Sequence, residues 1–266
     1  MNVYRFELRR EWKNAAVWTA VLLVLLGVLL LSVYPIYYDG RTEVLAALKG
    51  FPPQFAAAFG LDIDTIFSFG GFYAFSFLYL SVLGAVFASG LGLSVFAREK
   101  RAKCDDFLLT KPRPRTVLFA AKGLAALTLL ILQDILYFAL FLAICKTTPQ
   151  AEAPFGHQLV AALALLLTQL VFFAAGACIA VFAKRVRAVS GTAMAVAFGG
   201  FLLTALQSIL KKEALRYLSP YQYFDAELAF KTGHFETAMA VTASLLTVAL
   251  LAAAFVKYRT GQTHAV

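Results

Sequence analysis

The sequence predicts an all-α integral membrane protein of six transmembrane helices, with cytoplasmic N and C termini and an N-terminal amphipathic helix in the membrane interface. Three observations predict it. Of 266 residues 61% are hydrophobic and 15% charged, with mean hydropathy +0.76, whereas a soluble domain is about half apolar and about a quarter charged. The apolar residues gather into charge-poor runs long enough to cross a bilayer. The Lys and Arg residues concentrate in alternate connections between those runs. No hydrophilic stretch is long enough to bury a core of its own, so residues 1–266 read as one transmembrane domain.

Residues 1–14 come first. Tyr4, Leu8 and Trp12 share one face of a helix, and Arg5, Arg9 and Lys13 share another. A basic amphipathic helix with a Trp lies in the membrane surface, against lipid. Such a segment serves as an anchor or as an elbow that transmits force, and its sequence does not choose between them.

The first span is 15–37, 23 residues or about 34 Å of helix against a hydrocarbon core of about 30 Å. Its apolar stretch is too long for a signal-peptide core and no small-x-small cleavage site follows, so it is expected to stay in the mature protein. The next run, 65–97, exceeds what a crossing needs. We place the second span at 72–97, with 67–72 (including Gly70-Gly71) as an outer re-entrant or interfacial piece. The remaining spans are 117–145, 159–183, 188–210 and 237–256.

Orientation follows from charge. Seventeen of the 24 Lys and Arg lie in 1–14, 98–122, 184–187 and the tail, and seven in the three alternate loops. By the positive-inside rule the rich set is cytoplasmic. This distribution accounts for the net charge of +9 without a nucleic-acid partner. Gly84, Ala88 and Gly92 in the second span, and Gly191, Ala195 and Gly199 in the fifth, recur every four residues. Small stripes let membrane helices approach closely, either inside the bundle or at a subunit seam.

The most charged segment, 98–115, starts as a helix-compatible run and is stopped by Pro112 and Pro114. Phe107, Leu108 and Leu109 follow its mixed charges. Apolar residues at the end of a charged cytosolic helix either dock on a partner surface or dip into the lipid interface, and docking is the reading preferred here.

This segment resembles the first cytosolic loop of the ABC-2 type permease family. The matching residues are Glu99, Asp106, Phe107, Leu108, Leu109, Pro112, Arg115 and Lys122. Phe51-Pro52-Pro53 with Phe59-Gly60 is similar to the family's first outer-loop element, and Leu218-Ser219-Pro220 with Tyr223-Phe224-Asp225 to its segment before the last helix. The chain departs from the pattern at Lys103-Cys104, where the family often has Gly-Thr. The resemblance implies the permease half of an ATP-driven exporter in a bacterial plasma membrane. Two six-helix subunits, identical or paralogous, would enclose the pathway, and two separate ATP-binding subunits would dock beneath. Glu99, Asp106, Phe107, Leu108, Leu109, Pro112 and Arg115 would then couple to the ATPase. The interfacial helix with Tyr4, Leu8 and Trp12 would feel the same movement.

Chemistry on this chain is not expected. There is no Gly-rich loop ending in Gly-Lys-Ser/Thr, so ATP and Mg would sit on the partner, with no cofactor on this chain. His157, His234 and His264 lie in loops or the tail without a carboxylate at ligand spacing, so neither a metal site nor catalytic residues are expected. Cys104, Cys145 and Cys178 fit no zinc or disulfide framework.

Asp134 is the one carboxylate within a span. Burying it in hydrocarbon costs about 2.5–3.5 kcal/mol, so it faces protein or water. Two readings stand: a structural bond to another helix, or a pathway contact together with Gln169 and Gln207. The second underlies the rival function, a proton-coupled secondary transporter with Asp134 as carrier.

Overall fold

The computed structural model describes residues 3–48, 50, 52, 56, 58–102 and 114–260, with 99–102 described as backbone helix. Apolar runs in a bilayer can satisfy their backbone groups internally as helices. The structure is 85% helix with no strand among the described residues, and six of its helices are long and apolar enough to cross a membrane.

The first span is one continuous rod. Helix α1 (Val3–Gly27) passes into a π-helical turn (Val28–Val33) and then α2 (Tyr34–Asp39). Residues 3–14 are therefore the first turns of the same helix rather than a separate piece. The π-helical register closes with the Tyr34 N–H donating to the Leu29 carbonyl. It directly precedes Pro35, which has no N–H to give to the preceding turn.

After the short α3 (Arg41–Leu48) comes α4 (Phe69–Ala102), the second span. It begins three residues before the expected start, so Gly70 and Gly71 are its first turn and not a distinct re-entrant piece. Gly71 is required there because a Cβ would stand 2.1 Å from the Thr65 carbonyl oxygen, where the chain folds back on the helix start. Helix α5 (Arg115–Thr147) follows an extended Pro114, which blocks further helix on its N-terminal side. Next are α6 (Phe155–Phe182) and α7 (Val189–Leu210), which stops at Lys211 in the left-handed conformation (φ 51°). Two short helices, α8 (Glu213–Arg216) and α9 (Ala226–Thr232), lead to the last span, α10 (Thr237–Thr260). Asp225 caps α9 by accepting hydrogen bonds from the N–H groups of Glu227 (2.9 Å) and Leu228 (3.0 Å).

The second span is the centre of the bundle: 83% of its apolar window is buried, against 22%, 22% and 17% for the first, fifth and sixth. Small residues put it there. A Cβ on Gly92 would lie 2.6 Å from the Phe173 carbonyl oxygen, and one on Gly176 would lie 2.3 Å from that of Ser89. The α4 and α6 backbones thus meet directly at two reciprocal glycines. The Gly84–Ala88–Gly92 stripe is internal packing. The fifth span behaves differently. Gly191 and Ala195 are exposed and Gly199 has no neighbour within 4 Å of a would-be Cβ. The buried side of α7 is the adjacent row Ala193, Ala197, Gly200 and Thr204.

The start of α1 and the end of α10 come to one end of the bundle, as the contacts of Glu7 with Arg98 and of Tyr258 with Phe96 show. At the far end aromatic rings from four elements form a cluster. The Tyr73 and Phe141 ring centroids are 4.4 Å apart, and Tyr34 and Phe230 each lie 5.4 Å from Phe69.

Candidate functional site

Two buried carboxylates of the terminal end converge on Arg98, the last α4 residue with a described side chain. Glu7 and Glu11 are one helical turn apart on α1, so both carboxylates leave the same face. The Arg98 guanidinium donates one terminal nitrogen to each. Ser94, one turn before Arg98, donates to the same Glu11 oxygen at 2.8 Å. Glu7 and Glu11 are 3% and 6% exposed. Their burial is supported by charge-assisted, forked hydrogen bonding of the kind a planar guanidinium makes best.

A second cation completes the group. Lys122, 1% exposed, enters from α5 and donates to the Val95 carbonyl at 3.0 Å. Its ammonium is 6.0 Å from the Phe96 ring centroid and 5.9 Å from that of Tyr258, within reach of cation–π attraction. Lys122 is also near enough for its charge to act on Glu7. Two carboxylates and two cations therefore tie α1, α4, α5 and α10 together with balanced charge. A buried ion kept with its partners is tolerable, whereas one left alone is not.

The position of this group matters as much as its chemistry. Helix α4 ends at Ala102 and the chain returns at Pro114, so the clasp sits at the root of the 103–113 connection. On the returning side, Arg115 donates to the Arg259 carbonyl at 3.5 Å, binding the start of α5 to the end of α10.

Of the loop residues read from sequence, Asp106, Phe107, Leu108, Leu109 and Pro112 lie outside the described residues. Glu99 lies in the final turns of α4, with its side chain likewise outside them. On α1, the Tyr4 and Thr128 hydroxyls are 3.1 Å apart and Leu8 packs on the core, while Trp12 is 50% exposed. The apolar face expected there is thus divided, and the buried edge is the acidic one. The amphipathic reading missed this because it contrasted apolar with basic positions. The signal was available: two acids at i and i+4 in a segment otherwise rich in Arg, with single cations near the same ends of two later spans.

The three pathway candidates do not form one site. Asp134 (6% exposed) and Gln169 (fully buried) lie on the neighbouring helices α5 and α6, with Asp134 against the Leu166 backbone. Gln207 is at the far end of α7, where its amide oxygen accepts from the Gln222 amide at 2.5 Å. Among the described residues, one oxygen of Asp134 has no hydrogen-bond partner, nor do the amide atoms of Gln133 and Gln169. No three His, Cys, Asp or Glu residues converge as a metal site among the described residues.

Six apolar helices, one of them a central glycine-lined span, define a multi-pass membrane protein. A family model for the ABC-2 family transporter protein matches residues 1–262, and the chain belongs to that family. Members of this family are membrane transport subunits that work with ABC ATP-binding subunits, which makes this chain an ABC transporter permease. No curated protein and no solved structure matches the chain significantly.

Proposed function

We propose that this chain is the permease subunit of an ATP-driven exporter, moving a hydrophobic or amphipathic cargo outward by alternating access. It pairs with a second permease, and two ATP-binding subunits carrying ATP and Mg drive the pair. The observation that carries this reading is the Arg98 clasp at the root of the 103–113 connection. A loop that has to pass on a push needs a rigid base, and a satisfied, buried charge network supplies one. The basic residues around it support placing this end in the cytoplasm, the chain spanning a bacterial plasma membrane. The outward row Gly191, Ala195 and Gly199 supports a seam with the second permease. In this assembly Leu108 and Leu109 dock on the ATPase, and Trp12 holds the N-terminal turns at the lipid surface.

Purification of the tagged chain from its host in mild detergent is expected to recover a stoichiometric ATP-binding subunit. The double variant Leu108→Asp, Leu109→Asp is expected to lose that subunit and transport together. Unchanged association and transport in the variant would refute the docking assignment.

The unpartnered oxygen of Asp134 favours a second reading, proton-coupled transport with Asp134 as carrier. In that case transport would collapse with the proton gradient and survive depletion of ATP.

A further inference from the structure

The first turns of α1 have two unlike edges. The inner edge carries Glu7 and Glu11, both taken up by Arg98. Neither acid is therefore left to offset the cations of its own helix, as an i,i+3 neighbour such as Arg10 would otherwise allow. The outer edge carries Arg9, Arg10 and Lys13, all exposed, and no ion pair holds them among the described residues. Trp12, half exposed, stands beside them.

Depth gives this patch its meaning. With about 3.6 residues per turn, Lys13 shares a face with Val17 and Val24, and Arg10 falls in line with Val21. These valines are exposed on a span long and apolar enough to cross a membrane, so the face they define meets lipid. The cations continue that face past Ala15, where the apolar run starts. Along the helix Lys13 lies about 3 Å beyond this edge, Arg10 and Arg9 about 8–9 Å, and Arg5 about 15 Å. The headgroup layer is about 5–8 Å thick on each side of the hydrocarbon. Lys13 and Arg10 stand in it and the long side chain of Arg9 reaches it, whereas Arg5 lies beyond. A lone exposed cation in water needs no partner, but at this depth its neighbours are lipid phosphates. A Trp just outside the hydrocarbon marks the same layer.

We infer that Arg9, Arg10 and Lys13, with the Trp12 ring beside them, form a docking surface for anionic phospholipid. Charge complementarity and continuity with the lipid-facing valines select that occupant over an acidic protein surface. Bound phosphates then hold from outside the same helix turns that the Arg98 clasp holds from within. The inference rests on the placement of these turns at the lipid surface, and neither on export nor on an ATP-binding subunit.

The test uses the purified full-length chain without any ATP-binding subunit, so that failure of the exporter reading cannot mimic failure of this one. Trp18→Phe keeps a ring against Phe87 and leaves Trp12 as the one tryptophan. This parent is reconstituted into vesicles of phosphatidylglycerol and phosphatidylcholine in which one lipid or the other carries brominated acyl chains. Quenching of Trp12 then reads which lipid sits beside it. Brominated phosphatidylglycerol is expected to quench in preference to brominated phosphatidylcholine. Replacing Arg9, Arg10 and Lys13 together with Gln is expected to lower that preference at least about fivefold, the factor for one cation at an anionic surface. Arg5→Gln is expected to leave it unchanged. All four positions are exposed and leave the clasp intact, so the variants keep the fold. Equal quenching by the two lipids in the parent would overturn the inference, as would a triple variant with the parent's preference. An Arg5→Gln loss as large as the triple variant's would overturn the assignment by depth. A triple variant that keeps its lipid preference but no longer recovers an ATP-binding subunit from its host would give these cations to an acidic protein surface instead.

Discussion

Replacing Arg98 with Gln removes the guanidinium that holds Glu7 and Glu11, and leaves two carboxylates one turn apart on a buried face. At about 6 Å separation and an effective dielectric of about 20, their mutual repulsion is about 3 kcal/mol. Lys122, whose charge acts on Glu7, offsets part of it. Loss of solvation for the two abandoned charges adds to the repulsion, so the whole change falls in the range for a broken buried pair, about 3–5 kcal/mol. Thermal unfolding in detergent can be followed with a thiol-reactive dye, because Cys145 is buried and free. Arg98→Gln is expected to melt well below the wild type. The triple variant Arg98→Gln, Glu7→Gln, Glu11→Gln is expected to recover most of that loss, since amides can bond to one another without stranded charge. A single variant that melts with the wild type, or a triple variant no more stable than the single one, would refute the electrostatic account.

Other consequences follow from the same packing. Gly176→Val should lower the melting temperature sharply, by overpacking worth about 1–3 kcal/mol or more, because its Cβ would strike the Ser89 backbone. Gly199→Leu has open space around it and should leave the melting temperature unchanged while weakening permease pairing, read by crosslinking in membranes. Asp134→Asn keeps the side-chain shape and removes the charge. If ATP drives transport, initial rates in vesicles should stay near wild type in this variant, and a collapse to background would transfer the argument to the proton-coupled reading.

Much of the architecture was legible because membrane spans obey a simple rule of length and hydropathy. The fifth and sixth spans begin within one residue of their expected positions, at Val189 and Thr237. Helix ends marked by proline were also legible, as at Pro114 before α5. Burial direction was harder to read. In a helix apolar all round, hydropathy does not say which side faces lipid. Two rows of small residues in α7, Gly191–Ala195–Gly199 and Ala193–Ala197–Gly200, compete for the same contact, and only the shapes of Phe172 and Tyr221 select the second. The clasp was hidden for a different reason. Glu7 and Arg98 are 91 positions apart, and although the acid pair at i and i+4 stands out locally, it does not say which later cation it meets. The first span exceeded its expected length because one edge of residues 3–14, with Glu7, Leu8 and Glu11, has a protein surface to lie against.

Because Val3–Asp39 is unbroken, its length has a mechanical consequence. Its 37 residues form a rod of about 55 Å, nearly twice the hydrocarbon thickness of about 30 Å. From Pro35 to Glu7 the rod runs about 42 Å, so a rotation of about 10° at the proline turn sweeps the carboxylates through about 7 Å. Hydrogen-bonded side chains separate completely over half that distance. Arg98 must therefore travel with the rod or release it. Any such rotation would make the span a lever, turning a small angle at one membrane face into a long stroke at the other.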